Sequence, residues 1–493
     1  MIGVAMVAML LSIWAYWPVR MGMPVGDDWG PPLTEIQRGT AEGWKVFFTE
    51  TRQLDSYRPL QSLLIWIFGR AEEPARWAWI RVLHFVCLAV FVTASLLIAR
   101  LARLSRVGAV VAIATAALHP TLAPAVGSVD GFSSTLSTAA VGFGIATMIA
   151  LRRRPLLAML AAIGWLIAGT LVKEYAFALW PAAALTAIVM FPRGLVRSVV
   201  LFVVMGVATF VLLWARQFVR PDDLIAEGAD FELRDPATIA LNVGLVAMGG
   251  LFTGNSLWVY VERSPLALAT VAVSVGVVVV GLLLGLMKWF APDARTADAE
   301  PDDPVLDPRR WALLLFIMPA AMSFPANLVM RIGEMYCTGV ILTTAVLFGL
   351  AFDGLMRRGR LTRWVAVLFA LLLLAQAMWS LRDKSRAIAA EGVRARHQTD
   401  QIVRLVNERP NDQRVLLLFR RDLIPARATF GAYRLDETKH VRPPAVDWFF
   451  YGRGIILTTE FVDGESGVSN FDFTPFDQVL LWDASSKTYL RVK

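Results

Sequence analysis

The sequence predicts an all-α polytopic membrane protein with about eleven transmembrane helices, followed by a small C-terminal extracytoplasmic α/β module. Three observations predict this. Hydrophobic residues make up 56% of the 493 positions against 18% charged, with a mean hydropathy of +0.55. Apolar stretches recur at lengths close to the roughly 20 residues that cross about 30 Å of hydrocarbon. Basic residues fall in short clusters between those stretches, at Arg100, Arg103 and Arg106, at Arg152 to Arg154, at Arg193 and Arg197, and at Arg357, Arg358, Arg360 and Arg363. Such clusters hold cytoplasmic loops inside. A soluble enzyme is therefore excluded, and the formal charge of +8 reports orientation, because no long basic tract offers itself to nucleic acid.

The first apolar run, about Ile2 to Val19, lacks a basic n-region and places Trp14, Tyr16 and Trp17 where a cleavage site would stand, so it is expected to be a retained anchor. Ten further crossings are expected at about Ile80 to Ile98, Val107 to Leu122, Phe132 to Leu151, Leu156 to Leu171, Ala176 to Phe191, Val199 to Trp214, Pro265 to Met287, Trp311 to Leu328, Gly333 to Phe352 and Trp364 to Trp379. With the arginine clusters inside, the N-terminus is cytoplasmic, and the segments 22–79, 123–131, 172–175, 215–264 and 329–332 face outward, together with everything after Ser380. Ala240 to Gly254 is short and glycine-rich, and reads as re-entrant or interfacial. Pro292 to Pro308, rich in proline and acidic residues, reads as a cytoplasmic tether. The chain thus divides at about residue 380, with a membrane domain over 1–380 and an outer module over 381–493. In the module a helical run from Asp383 to Asn407 precedes strands at Arg414 to Phe419, Gly454 to Phe461 and Gln478 to Leu481. Cys87 and Cys337 lie in apolar runs and read as packing residues.

The first outer loop, 21–79, pairs GDDWG at Gly26 to Gly30 with DSYRPL at Asp55 to Leu60. Asp27 and Asp28 together supply a base or orient a divalent cation, and Arg58 offers planar donors to phosphate or carboxylate oxygens. The competing reading makes the aspartates caps of a surface helix starting near Pro31, with Arg58 reaching to the headgroups. Charged or titratable residues recur at other outer crossing ends: His119, Asp130, the adjacent Lys173 and Glu174, and Arg331 close to Glu334 and Tyr336. Charge at membrane depth is costly, so residues gathered on one side are expected to rim a single polar cavity, and their cations suit a lipid phosphate.

The motif order GDDWG, SYRPL, HPTLAPAVGSVDG (119–131), VKEYA (172–176) and GEMY (333–336) resembles the GT-C superfamily of polytopic glycosyltransferases. Within it the motifs are most similar to the protein O-mannosyltransferases and the transmembrane TPR-type O-mannosyltransferases. The resemblance covers about Ile2 to Trp379. It implies a sugar donor linked to polyprenyl phosphate or diphosphate and an acidic residue after the first helix as the catalytic base, here Asp27 with Asp28 as partner, or the two exchanged. It further implies donor-phosphate contacts from Arg58, His119, Lys173, Arg331 and Tyr336, supported by Tyr57, Asp130, Glu174 and Glu334. The chain has GEMYC where those relatives carry a Glu-Arg-Tyr-Leu type run, and a short module where they carry TPR arrays or a MIR module. Sugar and acceptor are therefore left open among a surface glycan, a lipid and a protein, as is a requirement for a divalent cation. The implied location is a bacterial inner membrane. Competing functions are a transporter or flippase of a lipid-linked glycan, which needs polar residues reachable from both faces, and a non-catalytic scaffold for envelope glycan assembly.

Overall fold

The computed structural model describes residues 2–21, 30–49, 57–72, 75–127, 129, 131–190, 195–217, 235–254, 265–290, 307–324, 337–409, 413–420, 455–483, 485–486 and 488–493. Helices α1 (Ile2–Tyr16), α2 (Gly30–Glu42), α3 (Val46–Thr49), α4 (Pro59–Gly69), α5 (Ala75–Leu101) and α6 (Arg106–Leu118) are followed by α7 (Ala123–Gly127), α8 (Phe132–Ala150), α9 (Pro155–Thr170) and α10 (Leu179–Met190). Then come α11 (Leu195–Gln217), α12 (Pro236–Leu251), α13 (Pro265–Phe290), α14 (Pro308–Met322), α15 (Thr338–Met356) and α16 (Arg360–Asn407). Several start where local chemistry prescribes it. Proline occupies an early position of α4, α9, α12 and α14, where its missing N–H costs no helical bond. Asp235 and Asp307 cap α12 and α14 by accepting first-turn backbone N–H groups.

Helix α15 lies at the centre, buried from Thr338 to Gly354 and packed by α6, α8, α13 and α14. Its threonines are kept from orphaning hydroxyls in that interior: Thr343 and Thr344 both donate to the Val340 carbonyl, at 3.0 and 2.6 Å. Gly285 and Gly354 bring α13 and α15 to backbone contact, since a Cβ at either would collide with a facing carbonyl, of Ala351 and of Gly285 respectively. At the arginine-rich end, Ser105 caps α6 by accepting the Gly108 N–H at 3.1 Å, while Asp353 of α15 accepts the Ser105 N–H at 2.6 Å and its hydroxyl at 2.5 Å. The outer helices α11, α13 and α16 expose Val203, Phe210, Val273, Val280, Leu368 and Leu372, a surface suited to lipid and not to water. This is a multi-pass membrane protein.

Among the described residues seven helices have the length and composition to cross a membrane, at 75–101, 106–127, 132–150, 198–215, 269–290, 338–356 and 360–390. Each coincides with an expected crossing. The other four expected crossings fold as shorter helices, α1, α9, α10 and α14, of 12 to 16 residues. At 1.5 Å per residue these span about 18–24 Å, short of the hydrocarbon thickness. Between α9 and α10 the chain turns through Lys173 and a 3₁₀ segment, Glu174–Ala178, instead of continuing one helix. Ala240 to Gly254 falls largely in α12, which packs on α13, α14 and α15.

The helical run expected from Asp383 is the continuation of the last crossing: α16 runs 48 residues unbroken through Ser380. It ends against a four-stranded sheet, β1 (Arg414–Arg420), β2 (Ile456–Val462), β3 (Gln478–Asp483) and β4 (Thr488–Arg491), in the order β2-β1-β3-β4. The first three strands are parallel and β4 is antiparallel to β3. Strands β1 to β3 lie where the sequence predicts them; β4 was not legible because a four-residue edge strand carries too little alternation. Ile402 and Val406 of α16 pack with Val415, Leu417, Phe419, Leu480 and Tyr489, and a short helix, α17 (Gly464–Ser469), precedes β3.

Two carboxylates make this module acid-sensitive. Asp477 accepts the backbone N–H of Arg414 at 2.8 Å and of Gln413 at 3.0 Å, which holds its carboxyl below the ordinary range. Asp483, bonded to the Ser485 and Ser486 hydroxyls, is held down at about 2. A lowered folded pKa contributes stability that is present above the unfolded value of about 3.9 and is lost as pH falls through the folded value. Protection of the 478–491 peptide against hydrogen exchange, corrected for intrinsic rate, is therefore expected to weaken between about pH 4 and pH 2. Asp483→Asn is expected to blunt that dependence.

Candidate functional site

Of the expected site residues, Asp27, Asp28, Asp130, Arg331, Glu334 and Tyr336 lie outside the described residues. The remaining five, Tyr57, Arg58, His119, Lys173 and Glu174, fall into two groups.

The first group is built where α4 begins and α9 ends. Arg58 is the residue before α4, and Leu60 in the first turn has a backbone N–H with no acceptor inside its own helix. Leu171, at the end of α9, has a carbonyl in the complementary position, and the two meet at 3.0 Å. That bond sets SYRPL beside VKEYA. Arg58 then pairs with Glu174 across 116 residues of sequence, Nε lying 3.1 and 3.0 Å from the carboxylate oxygens and Nη2 2.7 Å from Oε2. Both side chains are mostly shielded, at 17% and 12% exposure, so removing one partner costs more than it would in a surface ion pair. The carboxylate fixes the plane of the guanidinium through its Nε edge.

Lys173 is buried with extended backbone; its carbonyl accepts the Ser137 hydroxyl of α8 at 2.8 Å, and its ammonium lies 5.6 Å from the centre of the Tyr175 ring. Tyr57 donates its hydroxyl to the Phe48 carbonyl at 3.0 Å, tying the segment before α4 to α3, and burial pushes the phenol up. The structure thus brings four of the expected residues into one neighbourhood.

His119 belongs to the second group. It is buried at the end of α6, its Nδ1 accepting the Thr121 N–H at 3.3 Å and its Nε2 lying 3.2 Å from the Gly250 carbonyl, a pattern satisfied by the Nε2–H tautomer. Thr121 donates to the Gly249 carbonyl at 3.1 Å, so the 3₁₀ turn Pro120–Leu122 is pinned to the C-terminal end of α12.

Sequence reasoning missed three buried polar features. Arg81, inside the second expected crossing, donates from Nη1 to the Val126 and Gly127 carbonyls at 3.1 and 2.6 Å, at the end of α7. A charge within a crossing was the available signal. His84, one turn on, lies edge-on to Phe132 with ring centres 5.7 Å apart. On α2, Glu35 and Arg38 form a buried pair at 3.3 Å. That pair's i,i+3 spacing is also common on solvated helices, so nothing local marked it as interior. No group of three His, Cys, Asp or Glu side chains able to hold a metal occurs among the described residues.

No family model and no curated protein sequence matches the chain. Among solved structures, ArnT from Cupriavidus metallidurans bound to undecaprenyl phosphate is similar at 15% identity, over 95% of this chain and 86% of that one, with a TM-score of 0.46. The archaeal oligosaccharyltransferase AglB from Archaeoglobus fulgidus, in complex with an inhibitory peptide and a dolichol-phosphate, is similar at 13% identity over 79% of this chain, with a TM-score of 0.43. The chain spans 55% of the length of that second protein. With TM-scores of 0.46 and 0.43, neither family nor activity passes from those proteins to this chain.

Proposed function

We propose that the protein is an inverting GT-C-type glycosyltransferase that moves a sugar from a polyprenyl-phosphate-linked donor to an acceptor outside the cytoplasmic membrane. The observation that carries the reading is the Arg58–Glu174 pair, which joins SYRPL to VKEYA, two of the motifs on which the resemblance rests. A shielded bidentate pair that ties motifs far apart in sequence supports assigning them to one site.

In this reading the Asp27 carboxylate takes the proton from an acceptor hydroxyl as its oxygen attacks the anomeric carbon, with Asp28 as partner or in exchange of roles. The new oxygen–carbon bond forms opposite the bond to phosphate, which breaks with its electrons remaining on the phosphate oxygen, so the configuration inverts in one displacement. Phosphate is already a competent leaving group, and the site needs cations to receive its charge more than it needs a general acid. Arg58, oriented by Glu174, and Lys173 supply them, joined by Arg331 and Tyr336, while His119, its ring nitrogens engaged by Thr121 and Gly250, holds its own turn in place. Tyr57, Asp130 and Glu334 support this set.

Purified protein supplied with defined radiolabelled polyprenyl-phosphate sugars, with and without chelator, is expected to release polyprenyl phosphate and label an acceptor. Movement of intact lipid-linked sugar across proteoliposomes with no sugar transfer would select the flippase instead.

A further inference from the structure

The outer end of α16 meets two parts of the chain that sequence keeps far apart. Arg382 donates from Nη1 to the Trp14 carbonyl near the end of α1 at 2.6 Å, and its guanidinium carbon sits 3.8 Å from the centre of the Trp14 ring. Lys384, two residues on, donates from Nζ to the Pro120 carbonyl at 3.3 Å across 264 residues of sequence. Lys384 is only 1% exposed and ranks among the largest fully buried side chains. An ammonium removed from water is costly unless its N–H groups meet acceptors, and a methionine would fill the same space without that cost. What distinguishes the lysine is the polar contact it makes.

That contact falls on the turn already pinned from the other side. His119 and Thr121 reach the Gly250 and Gly249 carbonyls of α12, while Pro120 between them is held by α16. Farther along the same segment, Arg81 of α5 gathers the Val126 and Gly127 carbonyls just ahead of the stretch containing Asp130. Gly131 closes the segment so tightly that a Cβ there would lie 2.7 Å from the carbonyls of Pro124 and Ala125. Three helices, α5, α12 and α16, thus hold the stretch 119–127 that carries the HP element and leads to VDG.

We propose that Lys384 is a positioning residue of the donor site, holding the 119–131 segment in place from α16, with Arg382 doing the same for the end of α1 that leads into the loop of Asp27 and Asp28. This rests on the transfer reading above.

The test compares full-length wild type with Lys384→Met, which keeps the length and loses the donors, and Lys384→Arg, which keeps donors and charge. Hydrogen exchange over 119–131 is measured beside kcat and the donor KM, all on protein that elutes as a folded monodisperse species. Lys384→Met is expected to speed exchange in that segment and lower kcat at least about tenfold with KM within about twofold, and Lys384→Arg to recover most of both. Exchange and kcat both within about twofold of wild type in Lys384→Met would overturn the proposal, as would faster exchange with unchanged kcat. If wild type itself transfers no sugar from any donor, the transfer reading fails separately, and the exchange arm alone still supports or overturns the clamp on 119–131.

Discussion

Arg58→Ala is expected to lower sugar transfer by about 10²–10³-fold and to destabilise the membrane domain at the same time. The two effects share a cause. Arg58 ties α4 to the turn after α9 through Glu174, and removing one partner of a shielded pair leaves the other charge uncompensated, at a cost on the order of 3–5 kcal/mol. Glu174→Ala strands the guanidinium in the same way, so the double variant is expected to be less impaired than the sum of the singles. A double-mutant cycle on thermal unfolding in detergent checks this, with a coupling of about 0.5–3 kcal/mol expected for groups in direct contact. Additive losses would mean that the pair is incidental to the fold. Arg58→Lys separates charge from geometry, because lysine keeps the charge but cannot present two parallel donors to one carboxylate. It is expected to fall between wild type and Arg58→Ala in both readouts.

The larger expected effect lies in the acidic pair. Asp27→Asn keeps the size of the side chain and removes its ability to take a proton, so transfer is expected to drop by about 10³-fold, near the middle of what a positioned base contributes. Donor binding should change little, because the base acts on the acceptor hydroxyl while the phosphate is held by cations. Asp28→Asn is expected to show a smaller loss if Asp28 orients its neighbour, and the larger of the two losses if the roles are exchanged. Binding of undecaprenyl phosphate by each variant separates loss of chemistry from loss of donor.

How much of this could be read from residues follows from where each signal resides. Crossing helices declare themselves by apolar length, and the seven longest were legible for that reason. The shorter ones were legible as apolar runs but not in extent, because their ends are set by what packs above them. The turn at Lys173 and Glu174 is an example: it is held by the Ser137 hydroxyl and by Leu60, neither of them near in sequence. Pairing of Arg58 with Glu174 was foreshadowed only as two motifs of one family pattern; the bond itself is tertiary. Lys384 was hidden by composition. The polar run from Ser380 reads as the start of a new module, yet Leu381, Ser385 and Ile388 continue a buried stripe on the same helix, and the lysine sits within it. Arg81 was visible as a charge inside a crossing, but what it grips, the carbonyl end of α7, is fixed by the fold.

In the proposed reaction an aspartate after the first helix is the base that activates the acceptor hydroxyl. The most direct measurement is single-turnover transfer from a defined radiolabelled polyprenyl-phosphate sugar by purified wild type, Asp27→Asn and Asp28→Asn, with carrier binding measured in parallel. Wild type is expected to transfer sugar, and at least one variant to lose about 10³-fold with carrier binding retained. Wild-type rates in both variants would contradict it.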